Sequence, residues 1–435
     1  MRTGLIISGL AASAAVTASS AVARAQGSPA ADPPPPASAP AQPPVAPGLD
    51  QQFSLLLREG KYLAAMNLIE GAEPGAVSDN LRSIYAQYRS MLDGFVVQRG
   101  DTESPPPAPE DLAAYDAAVP VDAVAAIVER ARDTRVVIVN ETHDNPRDRA
   151  FILAVAEALR PLGYSVYSAE TLANQPPAFA AAEMERLTRE GYARRSSGGY
   201  TIDPMFAHLV RGVVALGYRP LGHEATITPE FVATPREEQV ALREQAQAEN
   251  LASALAAAAP EEKFLVHVGY SHAAEQPLGP TRQEWMALRL KRLTGIDPLT
   301  VDQTWLTEFG GLRALHAALA PRVGEAPKVF LKDGQSVQRP AQQWLPAGTF
   351  DLEVVHPPIR TVGGRPDWLR STGRRAVAIP AELLPREGRR LVQAFAAGEA
   401  DDAVPLDQAI VTAGEEPPVI YVLPDGEIRW AVQDE

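Results

Sequence analysis

Between residues 111 and 310 the chain alternates two kinds of hydrophobic pattern. Short continuous apolar runs, Val136 to Val139, Tyr164 to Ala169, Tyr218 to Leu221 and Phe264 to Val268, read as buried strands. Apolar residues at three- and four-residue spacing predict helices between and after them, at Arg147 to Leu162, Phe179 to Glu190, Glu237 to Ala258 and Arg282 to Leu293. The first helix is punctuated: Asn145 suits its cap, Pro146 its first position and Gly163 its exit. Pro220 has no ladder donor and marks the third run as an edge strand or strand end. Strands that are apolar throughout, alternating with helices, predict an α/β fold with a mainly parallel sheet and helices on both faces.

The flanks differ. Over 49–100, Phe53, Leu56, Leu57, Leu63 and Met66 recur at helical spacing, Pro74-Gly75 interrupts, and the pattern resumes, predicting a small helical hairpin segment. A proline-rich break follows at 101–109. Over 325–435 the pattern loosens into a β-rich extension, with strands expected at Phe350 to Val355, Ala376 to Ile379, Val419 to Leu423 and Ile428 to Val432. Pro424-Asp425-Gly426 is a turn signal that predicts a hairpin from the last two. At the other end, Arg2, the small apolar stretch Leu5 to Ala23 and Ala23-Arg24-Ala25 form a signal peptide over 1–25, which implies a periplasmic or secreted protein. A proline- and alanine-rich linker covers 26–48. No later run is long and apolar enough to predict stable membrane insertion.

Composition narrows the chemistry. The 435 residues include no cysteine, which excludes disulfides, thiolate metal sites, a cysteine nucleophile and a lipidated N-terminal cysteine. A formal net charge of −14 argues against nucleic acid or an anionic membrane as the main partner. Histidine is scarce, with 7 in the chain, yet three fall just beyond predicted strands.

In an open parallel sheet, ligands bind beyond the carboxyl ends of the strands. The first strand leads into Asn140-Glu141-Thr142-His143-Asp144, the second ends at Glu170, the third runs into His223-Glu224, and the fourth leads through Gly269-Tyr270-Ser271 to His272. Every strand end thus delivers a carboxylate, a histidine or both, which points to a functional cluster rather than ordinary solvated loops. Glu141 and His143, two apart, face the same way in extended backbone. Such a set suits a divalent metal (Mn, Zn or Co) on Glu141, His143, Glu224 and His272, and equally suits metal-free acid–base work. His267, inside the fourth strand, reads as a satisfied core histidine, and His208 and His316, in helical stretches, as structural. Gly269 to Ala273 also resembles the nucleophile elbow of α/β-hydrolases, with Ser271 followed in order by Asp302 and His356. Pro277 and Pro280 interrupt the helix that such an elbow requires.

Four segments carry a further resemblance. Val136 to Pro146, VVIVNETHDNP, resembles the opening motif of the ChaN-like haem-binding uptake proteins, which are grouped with TraB, the Tiki proteases and erythromycin esterase. Tyr167 to Glu170, the helix around Arg243 to Leu251, and Leu265 to His272 resemble that group's later motifs in order, over about 125–293. Asn140 stands where the family has glycine. The resemblance implies catalytic roles for Glu141, His143, Glu170 and His272, support from Asn140, Asp144, His223, Glu224 and Arg243, and, for a haem carrier, axial ligands among His143, Tyr270 and His272. The expectations are an exported hydrolase of an ester or amide, on a small-molecule or peptide substrate. The alternatives are a carrier of haem or metal without turnover, and an adaptor with a degenerate site.

Overall fold

Val136, Val137, Ile138 and Val139 are all fully buried, and alternate side chains enter two different cores. That is the signature of a strand covered on both faces, and it sets the architecture of the whole middle of the chain. The computed structural model describes residues 48–73, 75–92, 106–174, 176–342 and 344–435. The signal peptide expected over 1–25, almost all of the expected linker and the larger part of the proline-rich break lie outside the described residues.

In chain order the strands of the large sheet are β1 (Val119–Asp122), β2 (Val136–Glu141), β3 (Tyr164–Ala169), β4 (Arg219–Gly222), β5 (Lys263–Gly269), β6 (Leu299–Asp302), β7 (Lys328–Lys332), β8 (Gln335–Ser336) and β9 (Leu352–Val355). The order across the sheet is β1-β7-β9-β6-β2-β5-β3-β4, with β8 paired to β7. From β9 to β4 every pairing is parallel, and the pairings of β7 with β9, β1 and β8 are antiparallel. β4 is the sheet edge, as Pro220 requires.

The helices are α1 (Leu49–Arg58), α2 (Tyr62–Glu70), α3 (Asp79–Leu92), α4 (Pro109–Asp116), α5 (Ala123–Arg130), α6 (Pro146–Leu159), α7 (Pro177–Glu190), α8 (Pro204–Ala215), α9 (Pro229–Ala233), α10 (Arg236–Ala257), α11 (Met286–Thr294) and α12 (Arg313–Val323). α5, α6 and α8 cover one face through Ile127, Ile152 and Phe206, and α10 and α11 the other through Leu251 and Leu290. The chain is therefore an α/β protein with a mainly parallel sheet, a small helical part before it and a β-rich region after it.

Three local expectations need correction. Asn145 does not cap α6 with its side chain; it donates to Asp148 Oδ1 at 2.7 Å, while Asp148 Oδ2 reaches back to the Thr142 amide at 2.9 Å. α11 starts at Met286 because a tight turn, closed by Leu278 and Gln283 with Arg282 at φ +52°, occupies the chain before it. The hairpin across Pro424-Asp425-Gly426 is absent: Ile420–Val422 pairs with Arg375–Val377, and Ile428–Asp434 pairs with Arg389–Ala396. The strand Arg389–Ala396, unmarked by the hydrophobic pattern, supplies the partner that pulls the two apart.

α1, α2 and α3 pack not on the large sheet but on this C-terminal region, where Leu63 and Leu391 share a core. The Leu63 amide donates to Gln433 Oε1 at 3.1 Å and Arg389 to Asn67 Oδ1 at 2.6 Å. The same region grips α8: Arg211 donates to Glu399 Oε1 and Oε2 at 2.8 and 2.6 Å, and Arg374 contacts Met205 Sδ.

Candidate active site

The carboxyl edge of the sheet holds a continuous buried polar cluster, built in two halves that meet at one carboxylate. The first half lies under α6 and α8. Glu141 closes β2, on the face shared with Val137 and Val139. His143 Nδ1 donates to Glu141 Oε1 at 3.0 Å. Arg149, fully buried on α6, donates to Glu141 Oε2 at 2.7 Å, to Oε1 at 3.0 Å and to the His143 carbonyl at 3.0 Å. Its remaining nitrogen is held by Asp203, which also caps α8 by accepting from the Met205 and Phe206 amides. Burial alone would raise the Glu141 carboxyl; Arg149, His267 and the His143 bond overcome it and hold the group well below its ordinary value.

His267 belongs to this half and is not an isolated core histidine. The parallel register of β2 and β5 sets Val139 beside His267 and Glu141 beside Gly269. The Tyr167 hydroxyl and His267 Nδ1 share a hydrogen bond at 2.7 Å, which turns Nε2 toward Glu141. Nε2 lies 3.0 Å from Glu141 Oε2 but off the axis of a hydrogen bond. Gly269 makes room for the cluster. A Cβ there would lie 2.5 Å from His143 Cε1 and 3.0 Å from Glu170 Oε1, so only glycine lets both side chains cross the end of β5.

The second half lies under α10. His272, in the 3-10 turn Tyr270–Ala273 after β5, points Nδ1 at Glu244 Oε2, 2.9 Å away. Its Nε2 is 3.2 Å from Arg243 and 3.3 Å from Glu170 Oε2, the latter a charge contact and not an aligned hydrogen bond. Burial would lower this imidazole, yet Glu244 and Glu170 outweigh it and raise its pKa. Arg243 forks onto both oxygens of Glu224, and Gln247 donates to Glu224 Oε1 at 3.0 Å. His223 is fully buried, with Nδ1 2.8 Å from Ser168 Oγ.

Glu170 joins the halves. Its Oε1 accepts from the Tyr200 hydroxyl and lies 3.5 Å from His143 Nε2, while its Oε2 faces His272. Burial pushes this carboxyl up, but His272, Arg243 and His143 bring it down to about 2. The result is two carboxylate-backed imidazoles, Glu141–His143 and Glu244–His272, whose Nε2 atoms flank one ionised carboxylate. Tyr270, half-buried at φ +40°, sets its ring edge against His143 at 5.1 Å.

The structure thus gathers Glu141, His143, Glu170, His272, His223, Glu224 and Arg243 into one place. Asn140 is elsewhere: it faces β6, donating to Asp302 Oδ1 at 2.7 Å and the Tyr270 carbonyl at 2.9 Å and accepting from the Gln303 amide. It braces neighbouring strand ends and does not enter the cluster as a ligand. Asp144 lies half-buried in the turn between β2 and α6. The elbow reading of Ser271 does not assemble, because Asp302 is engaged by Asn140 and Arg339, and His356 Nε2 by Gln303 at 2.9 Å. His208 and His316 bond backbone carbonyls outside the cluster.

Comparisons with known proteins add a loose structural likeness. No family model matches the sequence, and no curated protein matches it. Among solved structures, the chain is similar to the type III effector HopBA1 (TM-score 0.33, 12% identity, covering 55% of this chain and 97% of that one). It is also similar to ChaN of Campylobacter jejuni, described in cofacial haem binding (TM-score 0.31, 11% identity, 42% and 86%). Against structures titled bacterial protein toxins (TM-scores 0.30 and 0.32, 18% identity) the match spans about a third of their length, 34% and 39%. These superpositions are partial, and no activity is taken from them.

The donor set itself decides what fits. Among the described residues no group of three His, Asp or Glu side chains is placed to hold a metal ion. Of the four expected ligands, both carboxylates are taken by arginines: Arg149 occupies Glu141, and Arg243 occupies Glu224 while lying 3.2 Å from His272 Nε2. A guanidinium already fills the charge role that a cation would take, so the site as built does not fit a metal. Of the residues expected as haem ligands, His143 and His272 are buried with Nδ1 paired to a carboxylate, and Tyr270 lies against His143.

Arg149, Asp203, Tyr200, Glu244 and His267 escaped the sequence reading. His267 had a usable signal, since it shares strand parity with Gly269. Glu244 and Gln247 lie beside Arg243 at helical spacing on a recognised helix.

Proposed function

We propose that this protein is an exported hydrolase of an ester or amide bond working by metal-independent acid–base catalysis. The observation that carries this reading is the pair of carboxylate-backed imidazoles facing each other across Glu170. With Nδ1–H donated to Glu141, neutral His143 offers an Nε2 lone pair, which removes a proton from water as the water oxygen attacks the acyl carbon. Protonated His272 delivers its Nε2 proton to the departing oxygen or nitrogen as the carbon–heteroatom bond breaks and its electron pair leaves with that atom. Arg243 adds fixed positive charge where the oxyanion develops. Glu170 stabilises whichever imidazole is charged and keeps the two rings aligned. Arg149 and Asp203 act at a distance by fixing Glu141. Among the described residues no helix is long and apolar enough to cross a membrane.

Turnover of 4-nitrophenyl esters and 4-nitroanilides by the mature protein tests the assignment. His143→Ala and His272→Ala should each lower kcat by ~10²–10⁴-fold at a temperature where both variants are folded by circular dichroism; unchanged turnover in both would sink the reading. Calorimetry with Zn²⁺ and Mn²⁺ on metal-stripped protein should show no stoichiometric uptake. A Soret shift on adding haem at micromolar protein would instead favour haem carriage.

A further inference from the structure

One group in the cluster has no part in the proton transfers above. His223 directly follows β4, and its Nε2 is buried with no hydrogen-bond partner among the described residues. Glu170 Oε2, also buried, likewise receives no aligned hydrogen bond, despite the 3.3 Å approach of His272. The two sit side by side. β3 and β4 pair in parallel through Ser168 with Leu221 and Ala169 with Gly222, so the next positions are Glu170 and His223. Ser168 and Glu170, two apart, project to the same face, and His223 Nδ1 meets Ser168 Oγ there.

Ser168 lies beside two acceptors for its single hydroxyl proton, the Leu221 carbonyl at 3.3 Å and His223 Nδ1 at 2.8 Å. With that proton on the Leu221 carbonyl, Oγ accepts from His223 Nδ1–H. Nε2 is then a bare acceptor. Burial, outweighing Glu170 and Glu224, lowers the His223 pKa to about 4, which keeps the ring neutral. Two neighbouring buried acceptors, one of them anionic, thus receive no aligned hydrogen bond, although His272 and Arg243 approach Glu170 Oε2 to 3.3 and 3.7 Å. A buried acceptor left unmet is costly, and a site built to receive a donor discriminates strongly against ligands that lack one.

We infer that His223 Nε2 and Glu170 Oε2 together receive a hydrogen-bond donor carried by the substrate beside its scissile bond, so that the enzyme takes N–H-bearing amides in preference to their N-alkylated counterparts. This rests on the hydrolase reading for its catalytic consequence, but the acceptor pair can be examined without turnover. His223 is a binding residue that selects the substrate; it takes no proton in the reaction.

Nitrogen NMR on protein carrying ¹⁵N-histidine, with His223 assigned by its loss in His223→Phe, reads the tautomer directly. The expected state is Nδ1–H with an unprotonated Nε2, whose resonance moves on titration with acetamide and stays fixed with N,N-dimethylacetamide. An Nε2–H tautomer, or equal responses to the two amides, overturns the inference whether or not the protein is a hydrolase. A selective shift in a protein that hydrolyses no ester or anilide keeps the acceptor pair and discards the hydrolase reading. With turnover in hand, the preference of kcat/KM for acyl-4-nitroanilides over their N-methyl analogues should fall by ~10–100-fold in His223→Phe. An unchanged preference in a folded variant also overturns it.

Discussion

The two halves of the cluster are made of similar residues but are finished differently. Under α6 and α8, both oxygens of Glu141 are bonded, and each guanidinium nitrogen of Arg149 meets a carboxylate or carbonyl. Of this half, His267 Nε2, 3.0 Å from Glu141 Oε2, lacks an aligned hydrogen bond. Under α10, Glu170 Oε2, His223 Nε2, Glu244 Oε1 and Gln247 Oε1 are buried without a hydrogen bond. The first half is a fixed mount for His143; the second holds capacity for a ligand. A buried network completed by its own protein is rigid, and an incomplete one marks where chemistry can enter.

The largest test of this contrast is Arg149→Met. It leaves Glu141 and Asp203 buried without their cation, and the guanidinium-chloride unfolding free energy should fall by about 3–5 kcal/mol. Gly269→Ala strikes the seam: the added methyl must displace His143 or Glu170, lowering stability by about 1–3 kcal/mol and reducing kcat with it. A pH series sharpens the comparison further. The His272 pKa is raised by folding, so its contribution is fully present below the unfolded value of about 6.5 and is lost as pH rises through the folded value. The stability gap between wild type and His272→Gln should therefore narrow on the alkaline side. Glu170 has the opposite sign: its contribution is present above the ordinary carboxylate range and disappears as pH falls through about 2. The gap between wild type and Glu170→Gln should close only in strong acid. Glu224→Gln, at the half-exposed mouth, is the mildest change, roughly 1 kcal/mol or less; an effect rivalling that of Arg149→Met would erase the distinction between the halves.

The parallel core was legible because its strands are apolar throughout. β3 spans Tyr164 to Ala169 as expected, and β2 and β5 extend past the predicted runs only to include the polar residues at their ends. β6 and the strand Arg389–Ala396 were not legible: one is four residues long, and the other begins with two arginines and carries Gln393 in its middle. Glu141, His143, Glu170 and His272 were readable from their place after strands. Arg149 and Asp203 were not, because a charge on a helix signals solvent until the fold supplies its buried counter-ion. Asn140 was expected to support the site, yet its side chain turns to Asp302 on the neighbouring strand, a contact that depends on strand order and not on spacing.

The packing of α1–α3 on the C-terminal strands bears on how the chain reaches this state. Leu63 and Gln433 are 370 positions apart, and β1 meets a partner, β7, that follows β2 to β6 in the chain. Such distant pairings come late in folding, since loop closure is unfavourable until the contacts that repay it exist. A ribosome releases residues in order, so the first helices to emerge wait for the last strands. The nascent protein therefore carries an amphipathic segment without its partner until synthesis is complete, and a holding chaperone should bind it there.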